Sequence, residues 1–116
     1  MVKINCGRNP HGATRSWRLS ARISGGDKKE LGHVYLYLIR NDGHDEPYGL
    51  VEDLAVSETA RGQGIGRALM EGLHKFARKH HCYKIIANSH KKRKAARALY
   101  ASLGYHSHGT EFRLDL

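Results

Sequence analysis

The chain has 116 residues, 40% of them hydrophobic and 27% charged, with a formal net charge of +9. That length suits a single compact domain with one modest core, residues 1–116. No apolar run approaches the ~20 residues needed to span a bilayer, and the opening residues lack the apolar segment of a secretory signal, so the expected address is the cytoplasm.

In chain order, Val2–Cys6 reads as a short edge strand at most, and the rest of residues 1–16 as loop. Residues 17–23 alternate strictly between apolar and polar, the pattern of a half-buried strand. Ser24-Gly25-Gly26-Asp27 supplies turn chemistry, and Leu31 to Ile39 forms a second strand, antiparallel to the first. After a polar loop, Tyr48 to Val56 is a third strand. A helix is expected from about Gly66 to Lys79, with Leu69, Met70, Leu73, Phe76 and Ala77 on one apolar stripe. Cys82 to Ala87 is a short strand, expected to be central and parallel to the third. A second helix runs from about Lys92 to Leu103, where Gly104 stops it. Two short strands, Tyr105–His108 and Glu111–Leu116, close the chain across Gly109.

The two cysteines, Cys6 and Cys82, form no metal-type pair and read as reduced thiols. The nine histidines lack the spacing of a zinc site, so no metal is expected. The excess of cations implies an anionic partner, either nucleic acid or a multiply phosphorylated cofactor.

The stretch Arg61-Gly62-Gln63-Gly64-Ile65-Gly66-Arg67 lies between a strand and a helix. It lacks the Gly-Lys-Ser/Thr end of a Walker A loop. It also lacks the Gly-x-Gly-x-x-Gly spacing of a dinucleotide-binding loop. It fits a third design, Arg/Gln-x-x-Gly-x-Gly/Ala, in which Gly64 and Gly66 permit close backbone approach and the N–H groups of a helix start meet a pyrophosphate.

Val51 to Met70, which contains this loop, resembles motif A of the GNAT superfamily of acyl-CoA-dependent N-acyltransferases. A second match, Ala96-x-x-Leu99-Tyr100-x-x-x-Gly104-Tyr105, resembles that family's late motif, and together the likeness covers about residues 31–116. A shorter likeness, in Val51-Glu52-Asp53 and Cys82-Tyr83-Lys84-Ile85, is to glucosamine-phosphate acetyltransferases.

The resemblance implies an α/β fold: a mixed, mostly antiparallel twisted sheet with a central parallel strand pair and two main helices. It implies acetyl-CoA as co-substrate and transfer of an acetyl group to a primary amine by direct attack in a ternary complex. The pyrophosphate would sit on Arg61, Gly62, Gln63, Gly64, Ile65, Gly66 and Arg67. The pantetheine arm would pair with Leu54, Ala55 and Val56, where the two parallel strands splay apart. Tyr100 would give a proton to the departing thiolate, since a phenol stays protonated at neutral pH. Glu52 is the first candidate for the base and Asp53 the second, with a water relay as the alternative. In a regular strand only one of these two carboxylates can face the acceptor.

Two departures from the family pattern stand out. Arg93 occupies a position where many relatives carry Asn; it can still reach the pantetheine or a phosphate. The ~16 residues before Trp17 are too few for the two helices that usually precede the first hairpin. The acceptor site is then either open or completed by a second subunit in a homodimer. The acceptor is a small-molecule or protein amine. A non-catalytic basic module that binds CoA-type ligands or nucleic acid is the competing reading. The basic run from His90 to Lys94 has no aromatic residue interleaved, which disfavours nucleic acid.

Overall fold

The computed structural model describes residues 2–22, 29–90 and 92–116. Four strands, β1 (Arg15–Arg22), β2 (Glu30–Ile39), β3 (Tyr48–Val56) and β4 (Ile85–Ala87), form one sheet in the order β1-β2-β3-β4. The first three pair antiparallel, with Trp17 opposite Leu36 and Leu36 opposite Val51. β3 and β4 run parallel, joined by helix α1 (Ile65–Lys79); a second helix, α2 (Lys94–Ser102), follows. This is the expected mixed sheet with two helices. The Ser24–Asp27 turn lies outside the described residues.

Period-two alternation decides what each strand buries. Val34, Leu36 and Leu38 of β2 point to one face and are buried, as are Val51 and Leu54 of β3. The α1 stripe covers them with Leu69, Met70, Leu73 and Ala77, and all nine form one cluster. Trp17 and Leu19 pack against its edge from β1, and Leu99, Tyr100 and Leu103 from the α2 side. The opposite face carries Arg18, His33, Tyr35, Tyr37 and Ile39, which are exposed or half-buried.

Several expectations are corrected. β4 begins at Ile85 rather than Cys82, because the preceding residues are spent on leaving α1. His81 takes a left-handed φ of 62°, Cys82 N–H bonds back to Ala77 O, and Tyr83 N–H bonds to Pro47 O. β4 is also an edge strand, not a central one, because Tyr105–His108 and Glu111–Leu116 pair with nothing among the described residues. An extended segment without a partner forms no strand. Val2–Cys6 is likewise unpaired and exposed.

Candidate active site

The parallel pairing of β3 with β4 stops early. Gly49, Leu50 and Val51 face Ile85, Ile86 and Ala87, and no further pair follows. β3 continues to Val56 while the chain beyond Ala87 turns away toward α2. A slot therefore opens along the second half of β3. Two arginines reach its main chain from opposite ends: Arg93 Nη2 donates to Leu54 O at 3.4 Å, and Arg61 Nε donates to Val56 O at 3.4 Å.

The glycine loop closes one end of the slot. A short 3-10 turn, Glu58–Ala60, leads into it. Gly62 and Gly64 take left-handed φ values of 78° and 79°, and a Cβ at either would meet nothing within 4 Å, so the loop is strained for other residues and open toward solvent. Gly64 is the N-cap of α1 and has no side chain to cap the helix. The first intrahelical bond is Ala68 N–H to Gly64 O, which leaves the N–H groups of Ile65, Gly66 and Arg67 ahead of it for an anion. Gly66 is not the conformational exception expected and has a packing task. It does not take a left-handed φ, and a Cβ there would lie 3.2 Å from Leu99 Cδ2, so it lets α2 approach α1. Ser57, at the end of β3, buries its hydroxyl oxygen with no hydrogen-bond partner among the described residues. Arg67 donates to Ser102 Oγ at 2.6 Å and lies 3.6 Å from Glu71, and so ties α1 to α2. Gln63 Nε2 donates to Thr59 O at 3.5 Å. These groups suit a phosphorylated ligand: open N–H donors, nearby guanidinium groups and room above the two glycines.

On the side of the sheet away from α1, an open cleft of about 720 Å³ is lined by Thr14, Tyr35, Tyr37, Ile39, Leu50, Glu52 and Asp53. Strand alternation would turn Glu52 and Asp53 to opposite sides, yet both are exposed and both line this cleft. The reason is a β-bulge. His33 pairs with Ala55 and Tyr35 with Glu52, so Asp53 and Leu54 together oppose Val34. Asp53 absorbs the extra residue in a left-handed conformation, φ 54°. Its carboxylate is held by His33 Nε2 at 3.0 Å, and His33 Nδ1 lies 3.4 Å from Glu30. Arg18 completes the row with a two-pronged bond to Glu30, at 2.6 and 2.8 Å. No side-chain hydrogen bond or ion pair holds Glu52 among the described residues.

Tyr100 projects from α2, half-buried, with its ring 5.4 Å from that of Tyr105. Burial pushes its pKa above the usual phenol value; the Arg93 guanidinium opposes that rise and the Glu52 carboxylate adds to it. Tyr100 is therefore close enough to sense the charges of both Arg93 and Glu52, and the phenol stays protonated at neutral pH. His33, Tyr35 and Tyr37 escaped the sequence reading, although the alternation from Leu31 to Ile39 places all three on one face.

The family model for the acetyltransferase (GNAT) family matches residues 20–105. Glucosamine 6-phosphate N-acetyltransferase of Trypanosoma brucei brucei is 38% identical over 68 residues, which are 59% of this chain and 44% of that protein. The chain thus matches less than half the length of that curated relative. Among solved structures, a Trypanosoma brucei acetyltransferase aligns with TM-score 0.68 and 31% identity, over 76% of this chain and 61% of its own. An aminoglycoside acetyltransferase from an uncultured soil metagenomic sample aligns with TM-score 0.75 and 25% identity, over 85% of this chain and 64% of its own.

Proposed function

Because the chain belongs to the GNAT acetyltransferase family, we propose that it is an N-acetyltransferase that uses acetyl-CoA to acetylate a primary amine. The observation that carries this reading is the slot along Leu54–Val56, which ends at the glycine loop that starts α1. The N–H groups of Ile65, Gly66 and Arg67 hold the pyrophosphate, with Arg61 nearby. The main chain of Leu54, Ala55 and Val56 holds the pantetheine arm as an added strand. The Leu54 and Val56 carbonyls, now bonded to Arg93 and Arg61, are the main-chain acceptors that would face the arm.

When bound, acetyl-CoA supplies an acetyl group activated as a thioester. An alkyl ammonium cannot attack it, so a base must first take a proton from the amine. Glu52 is that base, directly or through water, because His33 already holds the neighbouring Asp53. Tyr100 holds a proton at Oη for the departing thiolate, and burial keeps that proton in place at neutral pH. Tyr35 and Tyr37, with ring centroids 6.4 Å apart, offer an aromatic wall beside Glu52. Such a wall suits the apolar face of a sugar ring with its amine directed at the carboxylate. Two of the similar proteins are named for amino-sugar substrates, so glucosamine 6-phosphate and aminoglycosides are the first acceptors to screen.

Calorimetric titration of acetyl-CoA into the wild type and into Gly64→Glu tests the cofactor reading. Bulk and negative charge at Gly64 should abolish binding. Absence of wild-type binding at low salt would overturn the proposal in favour of a basic binding module, for which steeply salt-dependent binding to nucleic acid would be the positive sign.

A further inference from the structure

Helix α2 carries Tyr100, yet none of its own residues is fully buried. A proton donor must stand within about 0.5 Å of its productive place, which takes packing or a supporting hydrogen bond. With little packing on α2, the support has to come from bonds.

The end of the helix supplies one hold. Gly104 takes a left-handed φ of 95°, its N–H bonds to Ala101 O at 3.1 Å, and Tyr105 N–H reaches back to Tyr100 O at 3.0 Å. This pair of reversed bonds folds the residue after the glycine onto the last helical turn. The Tyr105 ring therefore lies beside the Tyr100 ring, with centroids 5.4 Å apart.

His74, on α1, supplies the other hold. Its Nε2 lies 2.7 Å from Tyr105 Oη, and the two rings are 5.5 Å apart. Burial pushes the Tyr105 phenol up to about 12; Tyr100 adds to that rise and Arg78 opposes it. Burial lowers the His74 pKa from 6.5; Arg78 adds to that fall and Glu71 opposes it. At neutral pH the phenol thus donates, Nε2 accepts, and the ring's own proton sits on Nδ1. His74 is a firm anchor, because its chain neighbour Leu73 is fully buried in the core. The bond joins residues 31 positions apart and crosses from the packed helix to the lightly held one.

We propose that His74 is a positioning residue for acetyl transfer: through the Tyr105 hydroxyl it ties the Tyr100 turn of α2 to α1, and so sets where Tyr100 Oη stands over the slot. This rests on the reading of Tyr100 as the proton donor. The Tyr105 hydroxyl is essential to the tie, since a phenylalanine there would keep the ring contact and lose the bond.

The first test needs no ligand. In protein isotope-labelled at tyrosine Cζ, with signals assigned by Tyr100→Phe and Tyr105→Phe, His74→Leu should move the Tyr100 resonance as well as that of Tyr105. His74→Gln, whose amide oxygen can still accept from the phenol, should move it less. A Tyr100 resonance that stays in place in His74→Leu overturns the proposal. The second test is turnover of acetyl-CoA with glucosamine 6-phosphate, followed by thiol release. His74→Leu and Tyr105→Phe should each lower kcat by about 10–100-fold, as a misplacement of ~1 Å does, with KM for acetyl-CoA little changed. The double variant should lose no more than either single one, and His74→Gln should recover most of the loss. In a Tyr100→Phe background His74→Leu should cost nothing further; an undiminished loss there overturns the proposal. Wild-type kcat in His74→Leu and Tyr105→Phe, beside a loss in Tyr100→Phe, overturns this inference alone and leaves Tyr100 as the donor. Full kcat in Tyr100→Phe overturns the donor and the positioning role together. If His74→Leu fails to fold, Tyr105→Phe, which deletes a single oxygen, still decides the question.

Discussion

The two faces of the β1–β3 sheet are made by alternate residues of the same strands, yet they do different work. The face under α1 carries Val34, Leu36, Leu38, Val51 and Leu54, all buried, with no charged or polar side chain buried among the described residues. The other face carries Arg18, His33, Tyr35, Tyr37 and Glu52 around an open cleft. The first can only be packed, and the second can be wetted, charged and shaped. The lesson is that stability and chemistry can be separated at the spacing of a single residue, and that the bulge at Asp53 is where the separation is bent to bring two carboxylates to one side.

Substitutions on the two faces should therefore read out in different assays. Glu52→Gln should lower kcat by about 10²–10⁴-fold, the usual worth of a general base, while leaving the unfolding midpoint in denaturant where it was. Tyr100→Phe should lower kcat within the same range. Because burial raises the phenol's pKa, the alkaline loss of activity in the wild type should follow a titration centred above the ordinary phenol value of 10, and this limb should be missing in Tyr100→Phe. Leu73→Ala, on the packed face, should do the reverse. It should cost about 2–5 kcal/mol in chemical denaturation, because Leu73 is fully buried between α1 and the sheet, with little change in KM for the fraction that remains folded.

The bulge itself gives a sharper test of the division. Asp53→Val places a β-branched residue at φ 54° and should cost about 1–3 kcal/mol, whereas Asp53→Gly tolerates that backbone and loses only the bond to His33. Equal stability of the two variants would break the account of the bulge. The smallest effect belongs to the rim. The Arg18 guanidinium, more than any other group, holds the Glu30 carboxyl down at about 2, below its ordinary 4.5. A folded pKa below the unfolded one stabilises above pH 4.5, and that contribution fades as pH falls toward 2. Acid unfolding of Glu30→Gln should thus be shifted only slightly, because the pair is solvent-exposed.

The glycine loop, the α1 stripe and the late helix were legible in the sequence because each is a local pattern whose meaning does not depend on what lies across the fold. The pairing of Glu52 with Asp53 on one side was not. Alternation predicts opposite sides, and a bulge depends on register against β2, which no window of β3 contains. The His33–Asp53 bond joins residues 20 positions apart and was invisible for the same reason. Arg93 was singled out as an exception to a pattern, and the structure shows what it touches: the Leu54 carbonyl, 39 positions away.

The sequence by itself determined the order of elements through α2, the apolar faces and the place of the loop, since hydrophobic period and glycine chemistry act over a few residues. Only the tertiary structure decided where β3 and β4 part, which carboxylate is tied down, that Gly66 serves helix packing, and that the last twelve residues, 105–116, form no strands with their own sheet. Those outcomes depend on which distant groups arrive to pair, and an extended segment becomes a strand only when another edge is there to receive its hydrogen bonds.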